Sequence, residues 1–121
     1  MNKTTKEHFA IFRKECLKWI EVFGLKGWDV TIKHKKMEDC RAACTSHVVN
    51  RWAELKLNID WNKEWEISKD RLKKDAFHEV MELFLAVISN LAEYRYTTAS
   101  EIEEEIHAII RTLENVVFEK K

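Results

Sequence analysis

Proline is absent from this 121-residue chain, and glycine occurs only at Gly24 and Gly27. That scarcity excludes a glycine-rich phosphate cradle and a Pro/Gly-rich linker, so a single domain covering residues 1–121 is expected. Cysteine is sparse and odd in number: Cys16, Cys40 and Cys44. Three thiols leave no fully paired disulfide framework, and a C-x3-C spacing plus a distant third makes no four-ligand zinc set, so a reduced, cytosolic setting is expected. An excess of either charge is missing too, with 21 Lys+Arg against 21 Asp+Glu. Without a net positive field or a basic block, neither nucleic acid nor an anionic membrane surface is expected as a partner. No apolar run approaches a membrane span, and the stretch MNKTTKEHFAIFRKECLKW carries charges throughout, unlike a secretion signal. A soluble protein is expected.

What is present is periodicity. From about Thr5 to Phe23 the apolar residues Phe9, Phe12, Cys16, Leu17, Ile20 and Phe23 recur at helical spacing, and Gly24 stands where such a helix stops. WDVTIKHK alternates Trp28, Val30 and Ile32 with polar residues, the two-residue rhythm of a half-buried strand. RAACTSHVV and WAELKLNID predict two further strands, and a small, mostly antiparallel sheet follows. A long periodic stretch from about Ser68 to Glu93 predicts a second helix. Ser100, with Glu103 three residues on, has the form of a capping box that opens the last helix. The expected fold class is therefore α+β: an N-terminal helix, three strands, then two long helices.

The second helix contains His78-Glu79-Val80-Met81-Glu82, one letter from the H-E-x-x-H zinc motif. Residues four apart lie one above another on a helix, so His78 Nε2 and a Glu82 carboxylate oxygen can converge on one ion, while Glu79 points about a quarter-turn away. Zinc accepts both donor types. A third ligand is needed, and the last helix offers Glu103 or His107 along one border of its apolar side, provided the two helices pack as an antiparallel pair. The same letters also describe an ordinary solvated face. Phe77, Val80, Met81, Phe84, Val87, Ile88 and Leu91 share one side of the helix, with Asp75, His78, Glu82, Ser89 and Glu93 opposite.

Other polar and aromatic groups point less sharply. Trp19, Trp28, Trp52, Trp61 and Trp65 are many for this length, and without a basic excess they are expected to pack rather than to stack on bases. His8, His34 and His47 have no partner at metal-ligand spacing. Cys40, Cys44 and His47 form C-x3-C-x2-H, but strand alternation places the cysteines on one face and the histidine on the other.

The stretches DAFHEVMELFLAVISNLAEYRY and EEEIHAIIRTLENVV, preceded by WDVTIKH and WAELKLNIDW, resemble small phage-encoded metallopeptidases of the minimal zincin type. The resemblance covers nearly the whole chain in the order of its elements and is specific around His78 and from His107 to Glu114. It implies zinc as cofactor, His78 as the first ligand, Glu79 as the general base that deprotonates metal-bound water, and His107 as the histidine of the last helix. Glu82 stands where the family has its second histidine and Ile106 where an acidic residue is expected, which implies a weakened zinc-dependent hydrolase. The alternative is a catalytically silent protein-interaction module on the same scaffold. The resemblance further implies a host bacterial cytoplasm, and a peptide or protein partner paired along the sheet edge, here WAELKLNID, whose Glu54 and Lys56 also suit a charged guard against aggregation.

Overall fold

The computed structural model describes residues 2–93 and 97–118. In chain order these form β1 (Asn2–Lys3), α1 (Lys6–Val22), β2 (Asp29–Lys35), β3 (Ala42–His47), β4 (Trp52–Asn58), β5 (Asp60–Trp61), α2 (Lys69–Phe84), α3 (Ala86–Glu93) and α4 (Ala99–Phe118). The fold class is α+β, with the expected order of helix, sheet and helices.

Helix α1 begins where its polar letters allow. The Thr5 hydroxyl accepts the His8 N–H at 3.2 Å while His8 Nδ1 accepts the Thr5 N–H at 3.0 Å, a reciprocal cap with histidine in the place of glutamate. The helix ends before Gly24, whose φ of +64° is the left-handed turn that a residue without Cβ adopts freely. The last helix starts by the same logic, but two residues earlier than the Ser100–Glu103 reading. Thr98 Oγ1 accepts the Glu101 N–H at 3.1 Å and Glu101 Oε1 accepts the Thr98 N–H at 2.9 Å.

The sheet corrects one expectation. Its order is β2-β4-β3, with β3 antiparallel and β2 parallel to β4, so it is mixed rather than mostly antiparallel. WAELKLN is thereby the central strand and not an edge. Alternation fixes residue faces within each strand but not the order of strands across the sheet, which tertiary pairing sets. On one face Val30, Ile32, Ala42, Cys44, Ala53, Leu55 and Leu57 pack with α1 and α2. On the other, Lys33 meets Glu54 at 2.9 Å and Lys56 donates to Thr45 at 2.9 Å. The core joins Phe12 and Cys16 of α1, Leu55 and Leu57 of β4, Trp61, and Leu72, Val80 and Leu83 of α2, all fully buried.

An unanticipated strand pair, β1 with β5, ties the N-terminal end of the described chain to the far end of β4. Asn58 anchors this corner. Its buried amide accepts from Met37 N–H at 2.7 Å and Asp60 N–H at 3.1 Å and donates to the Cys40 carbonyl at 2.6 Å, while its own carbonyl accepts from Thr4 Oγ1.

The predicted continuous helix from Ser68 to Glu93 is two helices. Leu85, at φ −95° and ψ 2°, stands between α2 and α3 in the bridge region of backbone space. Helix α4 packs against α3 and not along α2, so the expected antiparallel pairing of the second and last helices does not form. No helix among the described residues is long and apolar enough to cross a membrane.

Candidate functional site at the β3 edge

Helix α2 presents an unexpected face to the sheet. Its buried stripe is Leu72, Asp75, Ala76, Glu79, Val80 and Leu83, a run of three- and four-residue steps. The side defined by Phe77, Val80, Met81 and Phe84 is displaced from that stripe by about a third of a turn at 3.6 residues per turn. The reason lies in having two neighbours. Phe77 and Phe84 meet α1 through Trp19 and Phe23, leaving the sheet-facing side to smaller apolar residues and two carboxylates.

Those carboxylates have different fates. Asp75 is gripped bidentately by Arg41, with Nε to Oδ2 at 2.8 Å and Nη2 to Oδ1 at 3.2 Å, and the guanidinium also lies 5.7 Å from the centre of the Trp65 ring. This bond raises the Arg41 pKa above its ordinary value. Glu79 is 7% exposed and has no hydrogen-bond partner among the described residues. Burial, and secondly the Glu82 charge, push its pKa up to about 7, so near neutrality much of this carboxyl is protonated. Its influence reaches the nearby thiols: burial and then Glu79 push Cys44 up to about 12, and burial raises Cys40 and Cys16 as well. These thiols remain protonated near neutral pH, unlike a nucleophilic or metal-binding cysteine.

Between β3 and the α2–α3 arm lies an open cleft made of two successive hollows whose linings share no residue. Its first part, about 420 Å³, has Glu79 at its wall beside Cys40, Arg41 and His78, with Arg71 and Lys74 on the rim. Its second, about 260 Å³, lies between Cys44, Ser46 and Val48 on one side and Glu82, Ser89 and Glu93 on the other. Strand β3 bounds both. The Asn58 N–H donates to the Arg41 carbonyl at 2.9 Å, which sets the phase of the antiparallel ladder. By alternation Ala43, Thr45 and His47 face β4, so the N–H and C=O groups of Ala42, Cys44 and Ser46 point to the open edge.

The candidate ligands divide. His78 Nε2 and Glu82 Oε2 do converge, 2.9 Å apart, on the border of α2 that opens into the cleft, with side chains 67% and 54% exposed. Glu103 and His107 are exposed on α4 and do not join them, and no group of three His, Cys, Asp or Glu able to hold a metal ion occurs among the described residues. Catalytic zinc sites use three protein ligands. The donor set around His78 therefore does not fit catalytic zinc, and Glu79 lines the cleft from the sheet-facing side of α2.

Sequence reasoning missed Arg41 and the outward backbone of β3. The Arg41–Asp75 contact joins residues 34 apart, and no local pattern announces it. Asp75 inside an i, i+3, i+4 series with Leu72, Ala76 and Glu79 was a readable signal that this side of α2 meets something polar. Comparison of the chain with protein-family models, curated proteins and solved structures finds no match.

Proposed function

We propose that this domain is a catalytically silent peptide-binding module, in which an extended segment of another protein pairs with the open edge of β3 and lays alternate side chains into the cleft beside α2. The observation that carries the reading is the outward backbone of Ala42, Cys44 and Ser46, unpaired among the described residues and set along an open cleft. Strand addition draws affinity from main-chain hydrogen bonds and specificity from side-chain pockets. The cleft is polar from end to end: Arg71 and Lys74 stand at one end, Glu82 and Glu93 at the other. The fitting segment carries an acidic group towards the first pair and a basic group towards the second.

This reading keeps the scaffold implied by the resemblance to zincin-type phage proteins and gives up the hydrolytic zinc. Tag-free protein is expected to bind zinc substoichiometrically, by elemental analysis after incubation with the metal; one tightly held zinc per chain would restore the hydrolase. The binding itself is tested with peptides selected from an unbiased display library. Ser46→Pro removes an outward N–H and is sterically suited to an edge strand, so it is expected to weaken selected peptides by about tenfold with an unchanged circular dichroism spectrum. Equal binding by the proline variant sinks the edge-pairing mode.

A further inference from the structure

Two apolar surfaces lie outside the cleft, on different parts of the molecule. The first belongs to α4. Ile102, Ile109 and Val116 are half-buried, as expected of the side turned to α3, but Ile106, Ile110 and Leu113 remain 45%, 44% and 40% exposed. Steps of four and three residues put these three on one stripe. Glu103 and Glu114 border it, and Glu101, Glu104 and Glu105 make the helix's first turns strongly acidic. The second surface is the outer groove between α1 and α2. Trp19 and Phe77 meet edge to face at 5.0 Å on its floor, which continues through Phe23 to Phe84. Lys73 and Lys74 line a hollow of about 260 Å³ there, and Lys18 Nζ lies 4.6 Å from the centre of the Trp19 ring.

We propose that the chain self-associates, with α4 of one copy lying in the α1–α2 groove of a second. Three observations select a second copy as the occupant. The charges are complementary where α4 enters: Glu103 borders the stripe and faces Lys73 and Lys74, neither of which has an ion-pair partner among the described residues, while Glu15, which also lines the hollow, is met by Lys18 at 3.9 Å. The lengths agree: from Glu103 to Glu114 and from Lys73 to Phe84 the helices each rise about 16 Å at 1.5 Å per residue. The formal net charge is zero, so segregated acidic and basic faces attract without long-range repulsion between copies. With the acidic turns at the lysine end, α4 runs parallel to α2, and Ile106, Ile110 and Leu113 follow the aromatic floor. The proposed exchange is reciprocal, each copy's α4 in the other's groove, which closes the assembly as a two-fold dimer with two equal contacts. The surface is separate from the β3 cleft, apart from Lys74 on the shared rim.

Sedimentation velocity of the full chain at low ionic strength tests the proposal. Wild type is expected to shift from monomer to dimer as concentration rises. Ile110→Asp is expected to abolish the shift. Glu103→Lys and Lys73→Glu each place like charges together and are expected to weaken dimerisation about tenfold, while the two reversals combined recover most of it. All these positions are exposed, and circular dichroism verifies that the variants keep their helices. A chain that sediments as a monomer at every concentration overturns the proposal. A dimer indifferent to Ile110→Asp does so as well, as do charge reversals that fail to rescue each other.

Discussion

The body of the molecule and its last helix use apolar residues in opposite ways. In the body, α1, the mixed sheet and α2 enclose side chains such as Leu55, Trp61 and Leu83 with no solvent exposure. Along α4, an amphipathic helix of 20 residues, no described side chain is buried. Amphipathic patterning in the body reports a completed core, whereas the same patterning on α4 reports a surface only half covered by α3. Helical periodicity thus identifies which side of a helix avoids water, and leaves open whether its own chain or another molecule covers that side.

Substitutions sharpen this contrast. Leu55→Ala empties a fully packed site in the central strand and is expected to destabilise the fold by about 4 kcal/mol in urea unfolding. Glu79→Gln removes a buried ionisable group and should act in the other direction. Because the folded carboxyl is raised to about 7, the folded state holds its proton over a range in which the unfolded chain has already released it. Wild-type stability therefore falls as pH rises from the ordinary glutamate value through about 7, and the Gln variant lacks this fall. Its advantage is expected to reach about 3 kcal/mol at about pH 8 and to shrink to near zero at about pH 4. A pH-independent difference would show that Glu79 is as well solvated when folded as when unfolded.

Arg41→Ala leaves Asp75 buried without its guanidinium, and because Arg41 is itself about a third exposed the expected cost is about 2 kcal/mol, below that for a fully buried pair. Ile110→Ala completes the series at the other extreme. On dilute protein it is expected to change unfolding free energy by less than about 0.5 kcal/mol, since the side chain packs little and alanine favours helix. A loss comparable with that of Leu55→Ala would place α4 among the elements of the core and end the contrast.

Local elements were legible because local chemistry sets them. Thr5 and Gly24 bracket the first helix, and period-two letters at Val30–Ile32 and Leu55–Leu57 give the strands. The order of those strands was not legible, since WDVTIKH and WAELKLN read alike whether they run parallel or antiparallel, and whether central or marginal. For the candidate site, the convergence of His78 and Glu82 follows from a spacing of four. The inward turn of Glu79 does not, because α2 serves two neighbours and its most apolar letters were claimed by α1. The separation of Glu103 and His107 from His78 follows from the break at Leu85 and the packing of α4 on α3, which depend on long-range contacts that composition does not encode.

The side-chain amide of Asn58 has a mechanical consequence. It fastens the loop before β3, the start of β5 and, through Thr4, the strand at the N-terminal end of the described chain to one point. A tug on any of these segments is transmitted to Cys40 and Arg41 at the mouth of the cleft. The peptide protons of Met37 and Asp60 should consequently exchange with solvent together, as one opening event, rather than fraying independently.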